Sequence, residues 1–261
     1  MSHYIEAETM TLTSLTIRRI LFIGFAVTAL MLSGCASDID DLDRWDEVRL
    51  YQEAKGAMAR GEFQTAIRRL ETLNARYPFD DYAIQGQLDL MYAYFKSMRM
   101  EDVISTAQRF ARLNPTHPKV DYALYMQGLA DFDLNKSFLQ RWFPRDPSEY
   151  ELPVLERSFN AFAELVRRFP DSEYAPDGER RMIYLRNQLA EACMSRATWY
   201  VRREAWLSAA QRAQQCIQRY NGAPAVEKAL GIMANSYEKL DMPQLASATR
   251  NRTSQTAPTS K

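Results

Sequence analysis

Residues 50–78, LYQEAKGAMARGEFQTAIRRLETLNARYP, contain two apolar patterns on either side of a glycine, and a proline closes the second. In both patterns apolar or small side chains recur every three or four residues, which is the spacing of one helix face. Gly61 and the pair Tyr77-Pro78 are typical helix stop signals. The stretch therefore predicts a helical hairpin whose apolar residues are Leu50, Ala54, Ala57, Met58, Phe63, Ala66, Ile67, Leu70 and Leu73.

The same pattern returns along the chain. A small residue on each helix lets two helix axes approach closely, and one hairpin cannot bury its own apolar face, so hairpins must stack. We therefore predict an all-α solenoid of about five hairpins, or about ten helices. Its spacing resembles the tetratricopeptide repeat, although Leu50 and Glu204 stand where that repeat has Trp and Gly. Alanine pairs with one spacing are Ala54 and Ala66, Ala197 and Ala209, and Ala234 and Ala246; further stops are Asn114-Pro115, Phe169-Pro170 and Tyr220-Asn221-Gly222.

Two segments interrupt the repeat. Residues 136–150 form an insertion inside the third repeat, and insertions usually project from one face of a solenoid. Its large apolar groups include Trp142 and Phe143. They either fold back over the core of the array or anchor a partner, since aromatic residues are enriched at interface hot spots. Residues 172–203 contain few stops and predict one long central helix of about twice the usual length.

The N-terminal segment has the features of an export signal. Arg18 and Arg19 precede a short apolar run that ends in Leu-Ser-Gly-Cys at residues 32–35. The cysteine at this place makes the segment resemble a bacterial lipoprotein signal, which implies cleavage between Gly34 and Cys35 and a lipid, palmitate included, on Cys35. An uncleaved anchor or a plain secretory signal with an incidental cysteine are the alternatives. Met10 is an alternative start to Met1.

These observations divide the chain into five parts. Residues 1–34 are the signal peptide, and residues 35–44 are the lipidated cysteine with a short acidic tether. An N-terminal array of three repeats covers residues 45–170, and a C-terminal array of two repeats covers 171–249. The polar residues 250–261 lack periodicity and are predicted to be disordered.

Composition excludes several classes of function. The formal net charge is zero, so no basic field favours nucleic acid. Of two histidines only His117 remains after the signal, which removes most metal sites and histidine-based catalysis. No phosphate-binding loop, zinc-protease or serine-hydrolase motif occurs. The sequence therefore predicts a non-enzymatic protein with no cofactor besides the covalent lipid.

The string Val-Asp-Tyr-Ala-Leu-Tyr-Met-Gln-Gly-Leu at residues 120–129 is unusual for a generic repeat. Together with the lipoprotein signal and residues 110–115, Phe-Ala-Arg-Leu-Asn-Pro, it resembles the BamD family of outer-membrane assembly lipoproteins. The resemblance implies a lipid-anchored scaffold on the periplasmic face of the outer membrane, and Ala36 after the cysteine agrees with outer-membrane sorting. Implied partners are the periplasmic domains of BamA, the lipoproteins BamC and BamE, and unfolded barrel proteins.

Arg212 matches the family's basic contact to BamA, whereas the sequence by itself favours a solvated helix arginine. A second function remains open, namely a repeat adaptor lipoprotein associated with the cell wall or with DNA uptake. Neutral charge gives no support to DNA contact.

Cys193 and Cys216 lie at equal distances from the turn at Glu204 and Ala205. Residues in two antiparallel helices of equal rise should then meet at one height. A disulfide, two buried neighbouring thiols, or cysteines that face apart are the three outcomes, because packed helix axes lie further apart than the bond permits unless both side chains point inward.

Overall fold

The computed structural model describes residues 42–134 and 152–256. The chain divides after Asp46, with a short 3-10 helix, Leu42–Arg44, in the first unit and the α-helices in the second. In the described part of the chain every regular element is helical, and ten are α-helices. They are α1 (Glu47–Ala59), α2 (Phe63–Arg76), α3 (Asp81–Lys96), α4 (Met100–Leu113), α5 (Val120–Leu134), α6 (Leu152–Arg168), α7 (Ala175–Arg202), α8 (Trp206–Arg219), α9 (Ala225–Lys239) and α10 (Pro243–Thr256).

The ten helices form five consecutive hairpins in a continuous stack. Each helix packs on the next along the chain, and the first helices of neighbouring hairpins also touch, α1 on α3, α3 on α5, and α7 on α9. The paired alanines of the sequence pattern are buried at these contacts, as predicted for closely packed axes. The all-α repeat architecture and the number of helices are thereby confirmed.

Four hairpin turns share one backbone conformation. In each, the residue two positions before the second helix has a positive φ, and the next residue donates its N–H to the carbonyl five positions back, which closes the end of the first helix. This identity shows that the hairpins are true structural repeats. The residues are Gly61 (φ 78°), Met98 (59°), Glu204 (55°) and Asp241 (57°).

Helix lengths follow the predicted stops. Helices α2, α4, α6 and α8 each end one residue before a predicted stop. Helix α7 has 28 residues, against 14 in α8, so the prediction of one long central helix is confirmed. A proline in the first turn of α7 fits there, because the N–H groups at a helix start have no intrahelical acceptor.

The third hairpin requires the glycine of the unusual string. A Cβ built on Gly128 would lie 2.7 Å from the Phe162 ring, closer than side chains tolerate. Phe162 is fully buried, and Ser158 donates a hydrogen bond of 2.9 Å to the Gly128 carbonyl. Gly128 therefore lets α5 and α6 approach until an aromatic ring fills the space that a methyl group would take.

The predicted disordered tail is wrong in its first part. Helix α10 continues through residue 250 to Thr256. Neither Gly nor Pro interrupts this stretch before Pro258, and Arg250 pairs with Glu238 of α9. The stretch therefore contains no stop signal that would end the helix at residue 249. The predictions for the signal peptide, Cys35 and the insertion at 136–150 lie outside the described residues.

Candidate partner-binding site

The start of α7 is fixed by tyrosines and charges from two repeats. The Tyr125 hydroxyl donates to the Asp177 carboxylate at 3.0 Å, and the Arg181 guanidinium donates to it at 2.5 Å. Tyr125 also stacks on Tyr174, with ring centroids 4.7 Å apart. Burial opposes ionisation of Asp177, but these two hydrogen bonds outweigh it and hold its pKa below the usual value. This network joins α7 to α5.

Helix α7 packs on α6 and also on α8, and we call its contact with α8 the seam. Cys193 of α7 and Cys216 of α8 are joined by a disulfide, with Cα atoms 5.8 Å apart. Cys216 is almost completely buried and Cys193 is half-buried. The two helices are therefore held at one height in the middle of the seam.

A pocket opens beside this bond, towards the turn that connects the two helices. We call it the Arg212 pocket; its volume is about 290 Å³. Arg212 of α8 forms one wall, and its guanidinium donates to the Gln215 side chain at 3.0 Å. Four residues of the last turns of α7 form the remaining walls, namely Ser195, Arg196, Trp199 and Tyr200.

The Arg212 pocket combines uncompensated positive charge with an exposed aromatic ring. Trp199 is 46% exposed, and the Arg203 guanidinium lies 3.9 Å from its ring centroid. Among the described residues, Arg196, Arg203 and Arg212 have no carboxylate partner, whereas Arg219 further along the seam has one. A group of free cations around an aromatic ring is suited to a carboxylate with an adjoining apolar surface.

The structure places only part of the predicted site. Arg212 lies in the pocket and is half-buried. Trp142 and Phe143, together with Gly34 and Cys35, lie outside the described residues. In residues 42–134 and 152–256, no group of three or more His, Cys, Asp or Glu side chains is arranged to hold a metal ion.

Sequence reasoning missed the partners of Arg212 in the pocket. Neither Arg196 nor Trp199 is among the candidate residues that the sequence predicts. The available signal was Trp199 followed by Arg203 one turn later, since a tryptophan with an arginine four residues on shares one helix face. The four-residue spacing alone does not show that Arg212 of α8 faces the same space.

The fold and this pocket define a helical-repeat protein of the tetratricopeptide type, a class whose stacked hairpins form extended binding surfaces. A family model described as "YfiO: Outer membrane lipoprotein" matches residues 44–252. The chain belongs to this family. The described helices include none long and apolar enough to cross a membrane.

Proteins with similar sequences support the same family assignment. The chain is 40% identical over 212 residues to "Outer membrane protein assembly factor BamD" of Vibrio cholerae, covering 81% of this chain and 88% of the relative. It is 38% identical over 229 residues to the protein of that name from Neisseria gonorrhoeae, covering 87% and 86%. A solved thermophilic TPR protein of Thermus thermophilus is 14% identical, with a TM-score of 0.37 over 82% of this chain and 93% of that one, which adds nothing to the argument.

Proposed function

We propose that the chain is a non-enzymatic scaffold of the outer-membrane β-barrel assembly machinery. The observation that carries the proposal is its similarity, over most of their length, to relatives named as outer membrane protein assembly factors. A stack of hairpins suits this role, because its long surfaces can contact several proteins at once. The chain acts by holding partners in place, and its polar groups serve recognition.

The Arg212 pocket is the proposed contact for the periplasmic domains of BamA. Within the described part of the chain, Arg212, Arg196 and Arg203 have no carboxylate partner, so an acidic side chain of the partner can pair there. The lipoproteins BamC and BamE and unfolded barrel proteins are the further partners in this proposal. Cys35 carries the lipid that holds the scaffold on the periplasmic face of the outer membrane.

Arg212→Glu tests the partner contact directly. If the partner's carboxylate is buried against Arg212, removing the pair costs about 2–5 kcal/mol of binding, and a reversed charge adds repulsion. Co-purification of BamA with the tagged variant should therefore be lost, while circular dichroism shows an intact helical fold because both residues favour helices.

Arg109→Glu is the matched control, because it makes the same charge change at an exposed position of α4 in the N-terminal array. It should co-purify BamA at the level of the unchanged chain. If Arg212→Glu also does so, the proposed contact is refuted.

Depletion of the protein tests the role as a whole. Proteomics of outer membranes should then show a general fall in β-barrel proteins, and unchanged barrel levels would exclude the proposed function.

The intact mass of the membrane-extracted protein tests the lipid anchor. Cleavage before Cys35 with acylation gives a defined mass that the Cys35→Ser variant cannot give.

A further inference from the structure

A second arginine pocket lies on the same seam of α7 and α8, on the other side of the disulfide. Arg186 of α7 and Arg219 of α8 line it, together with Glu156 of α6. Its volume is about 180 Å³. The proposed function makes no use of this pocket.

Arg186 is placed there at an energetic cost. Its Nε is buried and has no hydrogen-bond partner. A buried donor without a hydrogen-bond partner is destabilising, so such a group calls for an explanation. The backbone accommodates the guanidinium: a Cβ on Gly222 would lie 3.2 Å from its Nη1, and Gly222 has a positive φ of 79°. Because this Nε is closed to solvent, an incoming group meets Arg186 through the part of its side chain that lines the pocket.

The second cation of the pocket is only partly neutralised. Arg219 pairs with Glu156 at 3.1 Å, and their side chains are 66% and 37% exposed. An ion pair this open to water is worth little, so an incoming anion can displace it. With Arg186, Arg219 and Glu156 together, the pocket keeps one positive charge in excess. Its remaining walls are mostly apolar and include Phe159, Leu189 and Tyr220.

We propose that this pocket binds one carboxylate side chain of a polypeptide partner, with an apolar neighbour of that side chain resting on the aromatic wall. Arginine pairs with planar carboxylates through parallel hydrogen bonds, and both Arg186 and Arg219 line the pocket. Small-molecule sites usually have about 300–1,000 Å³, so this cavity holds a side chain better than a free metabolite. The inference deepens the proposed function, on which it rests for the existence of a protein partner.

The two pockets are close enough to bind the same surface of one partner. Arg212, Cys216 and Arg219 follow one another on one face of α8, and Arg212 and Arg219 are about 10 Å apart along the axis at about 1.5 Å per residue. The disulfide lies between them and fixes the spacing. Two acidic groups at that separation on one partner would therefore occupy both pockets.

The test is an NMR titration of the full mature chain labelled at arginine Nε. The probe is the blocked dipeptide N-acetyl-Leu-Glu-amide, and N-acetyl-Leu-Gln-amide is its neutral counterpart. The Arg186 Nε–H resonance should shift and saturate with the glutamate peptide and stay in place with the glutamine peptide. An Arg186 resonance that both peptides leave in place, or that both shift equally, would overturn the proposal.

Three variants separate binding from structure in the same titration. Arg219→Gln should weaken the glutamate peptide about tenfold, because it removes a charged partner of the ligand. Glu156→Gln should tighten it severalfold, because it removes the competing carboxylate; a purely structural ion pair predicts no gain. Arg109→Gln is the control for loss of one positive charge and should match the unchanged chain. A lower affinity of the Glu156→Gln variant for the glutamate peptide would also contradict the proposal, as would equal affinities in all three variants.

The outcome is independent of the BamA experiment. If Arg212→Glu leaves BamA bound, the proposed function loses its contact, yet the peptide titration still reports on Arg186. If the titration fails while Arg212→Glu releases BamA, only the second pocket is refuted.

Discussion

At the scale of single residues, the contact between α5 and α6 depends on Gly128 having no side chain. Gly128→Ala should destabilise the chain by about 1–2 kcal/mol, because overpacking against the buried Phe162 ring outweighs the better helix propensity of alanine. Denaturant melts measure the change. Gly231→Ala is the matched control, since nothing lies within 4 Å of a Cβ there, and it should stabilise α9 by about 1 kcal/mol. Equal effects at both glycines would refute the packing explanation.

The turn residues show what a sequence can reveal at this scale and what it cannot. Gly61 is a stop signal because glycine adopts a positive φ without strain. Met98 and Glu204 adopt the same conformation in equivalent turns, yet neither residue type signals it. The hydrogen bonds that close the preceding helix impose the conformation, so the signal lies in the period of the repeat. The sequence likewise does not show that Arg196 and Trp199 lie beside Arg212, because their proximity depends on the packing of two helices.

At the scale of elements, the seam between α7 and α8 was predictable from the chain's symmetry about the turn, while the direction of the two cysteine side chains was not. The disulfide closes a loop with a sequence separation of 23 residues and should contribute on the order of 3 kcal/mol. Cys193→Ala with Cys216→Ala should lower the free energy of unfolding by about this amount. Non-reducing mass spectrometry after cleavage between the two sites should show one linked peptide pair. Separate peptides with free thiols would exclude the bond.

The attachment of α7 to α5 predicts a loss of stability at alkaline pH. Burial and a hydrogen bond with Glu173 raise the pKa of Tyr174 to about 12, and burial and the bond to Asp177 raise the pKa of Tyr125. An unfolded tyrosine ionises near pH 10. The folded pKa is the higher one, so this stabilisation is complete below about pH 10 and is lost as the pH rises towards about 12.

Urea unfolding at pH 9 and pH 11.5 measures the effect. Tyr174→Phe should lose less stability between the two pH values than the unchanged chain, because phenylalanine has no proton to release. The difference between the two chains isolates this residue from the lysines that titrate in the same range. Parallel losses would show that Tyr174 does not couple its ionisation to folding.

At the scale of the whole molecule, the sequence predicted the class of fold because a stacked array is specified by local patterns that recur. Each hairpin contacts mainly its neighbours, so spacing and stop signals are sufficient to place most helices. The prediction was wrong at α10, where the helix continues to Thr256 through a polar stretch that contains no stop signal. A pocket built from two helices, such as the one around Arg212, is not a local pattern and required the structure.

The insertion at residues 136–150 is the place where the sequence left two functions open, and complex assembly can decide between them. We expect Trp142 and Phe143 to contact a partner or substrate, because large apolar groups in the sole long insertion of a repeat array are typical interface anchors. Replacing both by Ser should reduce recovery of the assembled complex and leave the thermal unfolding midpoint nearly unchanged. A covering role predicts the reverse, because exposing the core would cost several kcal/mol of stability while the folded fraction still binds. Thermal melts and pull-downs on the same preparation distinguish the two, and Gln140→Ser in the same segment controls for the serine substitution itself.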